Sequence, residues 1–161
     1  MGKFNIPGNT SNALGAAVTP AFDSQFPGLN TMGISFIRID FAPGGVGPLH
    51  THPRASELLV CIQGTLLVGF VTSNPEYRLF SNVLHPGDLF VFPQGLIHFQ
   101  QNIGHVPAVA FASLGSQNPG LVSMGNGLFN STPPLPNIVL EKSFGVDKEA
   151  INQLRSQFGV A

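Results

Sequence analysis

This sequence has little charge. Charged residues fill only 9% of its 161 positions, and seven Lys+Arg against eight Asp+Glu give a formal charge of −1. No basic run or patch is present, which argues against nucleic acid as a partner. Hydrophobic residues reach 43%, so a large share of the surface must be uncharged or covered, and part of it is expected to be buried in a homo-oligomer. No apolar stretch attains the roughly 18 residues that suggest a membrane-crossing helix, so no membrane partner is expected. Cysteine is nearly lacking too: Cys61 alone cannot form an intrachain disulfide, and within a hydrophobic strand it reads as a packed thiol. Met1-Gly2-Lys3 is not followed by an apolar core, so no secretory signal is visible. Yet Asn9-Thr10-Ser11 and Asn130-Ser131-Thr132 match the glycosylation sequon, which matters only in a secreted protein and often arises by chance.

Glycine and proline are plentiful, at 19 and 14 residues, and they divide the chain into short apolar segments. The length suits one domain over 1–161 with a sizeable core. The first thirty residues, rich in Gly, Asn, Pro and Ser, read as irregular. Gly33 to Phe41 reads as a strand with Ile37, Ile39 and Phe41 on one face. Leu58 to Val71 is a long apolar run containing Gly64 and Gly69, which predicts strands buried on both faces and bent at the glycines. Further strands are expected over Leu79 to Leu84, Leu89 to Phe92, Leu96 to Gln100 and Val106 to Leu114, with turns at 72–75, 85–88 and 93–95. Short strands at this spacing describe an all-β sandwich or barrel, placed at about 30–125. Only the tail changes period. Two helices are expected over about 137–159: one begun by Asn137 and stopped by Gly145, the next capped by Asp147 with Ile151, Leu154 and Phe158 on one face.

Four residues in the β region carry chemistry. His50 and His52 lie two apart, so on an extended strand they point to one side. Glu57 can re-enter the strand after a turn, and His98 must arrive from another strand, begun by the rigid Pro93-Gln94-Gly95. Inside a barrel, alternate residues of several strands converge. Three imidazoles and one carboxylate suit Mn, Fe, Zn, Cu or Ni, and the lack of thiolate argues against soft-ligand sites. Four donors would fill a tetrahedral ion, whereas an octahedral one would keep two positions open. Among the other candidates, His85 and His105 read as exposed loop residues, and Asn102 as a partner for backbone groups near His98.

The complete spacing is more specific than any pair. Gly44, His50-Thr51-His52, Glu57 and Gly64 are followed by Gly87, Pro93-Gln94-Gly95, His98 and Asn102, which match every fixed position of the paired cupin signature. Pro48 to Glu57 and Phe92 to Gln100 resemble plant germin-like proteins more narrowly, as do Thr19-Pro20-Ala21-Phe22, Gln25 to Thr31 and Ser116-Gln117-Asn118-Pro119-Gly120. The resemblance runs from about Asn5 to the C-terminus. It implies a jelly-roll barrel holding one ion, usually Mn2+, between His50, His52, Glu57 and His98, which would be catalytic through the metal. It further implies secretion to the apoplast, glycosylation, and a hexamer built as a trimer of dimers with C-terminal helices packed between subunits. The activities it implies are superoxide dismutation and, in true germins, oxidation of oxalate.

Two departures qualify that expectation. The family's signal peptide and N-terminal cysteine pair are missing from this sequence, which leaves a trimmed chain and a natural cytoplasmic form both open. Oxalate-oxidising members also carry asparagines at the positions matching Ile37 and Gly47, and neither residue here offers a side-chain donor. Each missing charge-assisted bond removes about 1.5–3 kcal/mol, so oxalate oxidation is disfavoured. A pocket is expected around Ile37, Gly47, Leu49, Leu59, Leu96 and Asn102. Three functions then compete: a superoxide dismutase-type oxidoreductase; a metal-dependent enzyme that oxygenates, cyclises or isomerises a larger apolar plant metabolite; and a non-catalytic cell-wall protein.

Overall fold

The computed structural model describes residues 4–158. The chain is divided into two compact units, Met1–Leu121 and Val122–Ala161. The first contains β1 (Ala16–Ala21), β2 (Ser35–Phe41), β3 (Val46–Thr51), β4 (Glu57–Gln63), β5 (Leu66–Val71), β6 (Leu79–Leu84), β7 (Leu89–Phe92), β8 (His98–Asn102) and β9 (Ala108–Leu114), with a single 3-10 turn at Pro27–Leu29. One antiparallel sheet runs β1-β2-β9-β4-β7, and the other holds β3, β8, β5 and β6 in that order. The chain passes repeatedly from one sheet to the other, as in the cupin jelly roll.

Period-2 alternation decides which side chains meet between the sheets. On β2, Ile37, Ile39 and Phe41 are buried while Phe36 is 39% exposed. They join Leu59 and Cys61 of β4, Leu66 and Val68 of β5, Leu84, Phe92, and Ala108, Ala110, Ala112 and Leu114 of β9 in one core. Small alanines on the central strand and large residues beside it share this layer, and each fully buried Leu or Phe contributes about 1.5–3 kcal/mol.

Several expectations are revised. β1 falls within the segment expected to be irregular, paired along its whole length with β2; the partner strand, invisible to local composition, is what organises it. The long apolar run is not buried on both faces: Leu58 and Ile62 are 46% and 44% exposed, because antiparallel sheets can leave one face open. Its chain reversal sits at Gly64 alone, with φ +85°, where a Cβ would lie 2.8 Å from the Ala108 α-carbon. Gly69 stays in register between Ser81 and Phe99.

The second unit holds the two-residue β10 (Val122–Ser123), α1 (Met124–Phe129), α2 (Asn137–Phe144) and α3 (Lys148–Gln157). Asp147 caps α3, accepting from the Ala150 N–H at 2.9 Å, and Gly145 ends α2 in the left-handed conformation. Pro136, not Asn137, is the N-cap of α2. Phe129, Leu140 and Ile151 form a small core with Phe158 packed against it, but Leu154, expected on that face, is 40% exposed. The short α1 carries two glycines and no helix signal. Position 159, the predicted end of the tail, lies outside the described residues.

One ion pair ties the N-terminal segment to the barrel. Arg38 donates to both Asp40 oxygens, with the shortest contact 2.6 Å, and to the Phe4 carbonyl, while Asp40 also accepts from the Gly8 N–H at 2.8 Å. Burial pushes the Asp40 carboxyl up, but the Arg38 guanidinium and Gly8 N–H outweigh it and hold its pKa below the ordinary value. Asp40→Ala should therefore cost about 1.5–3 kcal/mol at neutral pH, read by denaturant unfolding. Because the folded pKa is depressed, this contribution is complete above an ordinary carboxylate pKa of about 3.9 and disappears as pH falls through the lower folded value. A wild-type minus variant difference that does not shrink on acidification would contradict the assignment.

Candidate metal centre

The sequence brings three strand ends to one point. His50, near the end of β3, pairs directly with His98 at the start of β8. Glu57 opens β4 and lies between Phe92 of β7 and Leu114 of β9. His52 follows β3 directly, its carbonyl accepting from the Gly95 N–H at 3.0 Å. Each of the four residues offers one donor atom, and all four atoms lie within 4.8 Å of one another. Phe92 stacks on the His98 ring at 4.5 Å between centroids, fixing one side of the imidazole.

Each ring is held through its other nitrogen. Nδ1 of His50 faces the Pro48 carbonyl at 2.7 Å, Nδ1 of His52 the Gly120 carbonyl at 2.6 Å, and Nδ1 of His98 the Leu96 carbonyl at 2.9 Å. A carbonyl can only accept, so every Nδ1 carries hydrogen, and in the neutral ring Nε2 then turns a lone pair toward the common point. This is how histidine ligands are oriented for a metal.

The inward atoms are left without partners. Nε2 of His52, Nε2 of His98 and both Glu57 oxygens are buried and unpaired by any hydrogen bond. Nε2 of His52 nevertheless lies 3.0 Å, and Nε2 of His98 3.5 Å, from Glu57 Oε2. Lone pairs that close together require either an added proton or a cation between them. A divalent ion fits the need, and imidazole with carboxylate is a donor set for Mn, Fe, Zn, Cu or Ni.

Protonation favours ligation at His50 and Glu57. Burial, helped by the neighbouring His98, pushes the His50 ring down to about 4, so it is neutral near pH 7. Burial works to raise the Glu57 carboxyl, but the His52 and His98 imidazoles bring it down to about 2, leaving it ionised. For His52, burial is outweighed by Glu57 and the Gly120 carbonyl, and the pKa rises; when protonated, this ring must release its proton to ligate.

The six expected pocket residues lie in different surroundings. Ile37 and Leu59 are buried on the inner layer, at 5% and 0% exposure. Leu49 is half exposed, on the face of β3 opposite His50. Leu96 contributes its carbonyl, the partner of His98 Nδ1. Asn102 is fully occupied by backbone, donating to the Ala42 and Val106 carbonyls and accepting from the Gly104 N–H. Gly47 is crowded: a Cβ there would meet Gln100 Oε1 at 2.3 Å. Gln100 itself, 2% exposed with Nε2 unpartnered, lies two residues beyond His98 on the same strand face. Sequence reasoning passed over it, although period 2 from His98 would have found it. Gly120 was also missed as a partner of His52, and no local pattern links residues 68 apart.

A two-sheet jelly roll with three histidines and a glutamate turned inward defines a cupin of the metal-binding kind, and the family model "Cupin" matches residues 3–152. Germin-like protein 4-1 of Oryza sativa subsp. japonica is 58% identical over 156 residues, 95% of this chain and 61% of that protein. Germin-like protein subfamily 1 member 20 of Arabidopsis thaliana is 55% identical, over 96% of this chain and 70% of its own length. The solved structure of a recombinant oxalate oxidase in complex with glycolate superposes with a TM-score of 0.92 at 43% identity, covering 98% of this chain and 82% of that one. The chain belongs to the cupin family as a germin-like protein. It spans about three fifths to seven tenths of the length of these curated relatives.

His50→Ala and His98→Ala should each reduce bound divalent ion far below one per chain, read by elemental analysis after loading and desalting. Wild-type metal content in both variants would contradict the shared centre.

Proposed function

We propose that this chain is a manganese-dependent oxidoreductase of the superoxide dismutase type. The observation that carries the reading is the unpartnered set of Nε2 atoms and carboxylate oxygens on one inward point, in a chain whose positions 37 and 47 carry no side-chain donor. His50, His52, His98 and Glu57 would hold the ion, and the bound metal would supply one-electron redox chemistry and an open position for a small oxygen species. The overall reaction converts two superoxide ions and two protons to dioxygen and hydrogen peroxide.

The chain's own residues set the conditions for it. The three Nδ1–H donations keep the rings oriented, and Phe92 and the β-barrel core close one side of the site. His50 and His52 retain 9% and 6% exposure while Glu57 and His98 retain 1% each, which supports approach of solvent and small anions from the β3 side. Superoxide needs no hydrogen-bonding cradle beyond that. Oxalate does, and here Ile37 and Gly47 offer no side-chain donor, while Gln100 is a single amide against the several oxygens of a dianion. The buried Ile37 and Leu59 also favour a second reading, a metal-dependent enzyme acting on a less polar plant metabolite.

The setting is proposed on the same footing. Both sequon asparagines, Asn9 and Asn130, are exposed, which supports a glycosylated, apoplastic protein. Many large apolar side chains are exposed on the single chain, among them Val18, Leu58, Leu89 and Val91, which supports a homo-oligomer, as a trimer of dimers by family likeness. The cupin match across both compact units supports one functional domain. No described helix is long and apolar enough to cross a membrane.

Manganese-loaded protein should accelerate superoxide loss in a pulse-radiolysis or cytochrome assay, and His98→Ala should not; an inert protein with full manganese content eliminates this reading. Ile37→Asn combined with Gly47→Asn should raise oxalate turnover above the wild-type level, with the Gln100 side chain displaced by the new Cβ. If the double variant keeps its manganese and remains inert toward oxalate, missing donors are not the reason.

A further inference from the structure

The three ligating histidines are not anchored alike. His50 and His98 bond carbonyls only two residues away, Pro48 and Leu96, and these contacts travel with their own strands. His52 bonds Gly120, 68 residues distant. Its ring orientation therefore depends on where the Ser116–Gly120 segment is held.

Arg54 holds it. The guanidinium Nε donates to the Asn118 carbonyl at 2.8 Å and NH2 donates to Asn118 Oδ1 at 2.6 Å. The Arg54 backbone N–H donates to the Pro119 carbonyl at 3.1 Å. Gly120 lies against this arginine: its φ is +69°, and a Cβ there would stand 2.9 Å from Pro53 Cγ and 3.0 Å from the guanidinium NH2. Asn118 is further tied to its own segment, its N–H donating to Ser116 Oγ at 3.1 Å. A planar fork meeting two acceptors on one residue fixes direction as well as distance.

We propose that Arg54 is a positioning residue for the metal centre: its clamp on Asn118 places the Gly120 carbonyl, which keeps His52 in the Nδ1–H form with Nε2 turned to the ion. The inference rests on the metal-binding part of the proposed function, and on neither the identity of the ion nor the reaction. Arg54 is exposed, where single substitutions change global stability little, so the effect is local to His52. Outer partners of ligating histidines typically set metal affinity by about 10–100-fold.

The test uses the whole chain, first without metal. Imidazole nitrogen NMR of Arg54→Ala should move or broaden the His52 signals and leave those of His50 and His98 in place, at an unchanged melting temperature. Asn118→Ala should give a smaller change of the same kind. Calorimetric titration with Mn2+ should then give an affinity about 10–100-fold weaker for Arg54→Ala. Unchanged His52 signals with unchanged Mn2+ affinity overturn the proposal. A joint shift of all three histidines with a lowered melting temperature overturns it as well, since that is the mark of a general structural role. Wild-type protein that binds another divalent ion but not Mn2+ refutes the manganese reading, while the His52 signals still decide the role of Arg54.

Discussion

Buried lone pairs aimed at one another are the constraint on which this structure turns. Three backbone carbonyls take the Nδ1 hydrogens of His50, His52 and His98, and that leaves the Nε2 atoms and the Glu57 carboxylate facing each other without donors. Burying unpaired polar groups costs several kcal/mol in an apolar surrounding. The arrangement is stable only with positive charge at the centre, a proton on His52 or a divalent ion. Ion binding would thus be coupled to the native positions of three strand ends.

The barrel supplies the rigidity this needs. The core of Phe41, Leu59, Leu66, Phe92 and Leu114, each 2% exposed or less, sets the separation of the two sheets, and β4 and β8 carry Glu57 and His98 in from opposite sides. Loops then finish what the strands begin. The Gln94 side chain donates to the Pro53 carbonyl at 2.8 Å, and its backbone N–H donates to Ser56 Oγ at 3.1 Å. These two bonds tie the turn before His98 to the turn before Glu57. The Ser116–Gly120 segment closes the same region from much further along the chain.

Chemistry follows from what surrounds these ligands more than from the ligands themselves, since the same four donors suit several metals and reactions. Among the buried residues of the two sheets, Ile37 and Leu59 are apolar, and Gln100, which a Cβ on Gly47 would meet, keeps an unpartnered amide Nε2 on the His98 strand face.

The amino-acid pattern alone determined the strand boundaries at Leu79–Leu84 and Leu89–Phe92, the inward face of β2, the Asp147 cap and which four residues form the candidate centre, because period-2 alternation, turn residues and fixed motif spacing are local properties. Local patterns could not announce β1, which exists because β2 lies beside it, nor α1, nor the exposure of Leu58, Ile62 and Leu154, which depends on what each face meets. Most of all, they could not connect His52 with Gly120, Arg54 with Asn118, or Gln100 with Gly47. Such contacts join residues distant in the chain, and only the folding of two sheets against each other decides them.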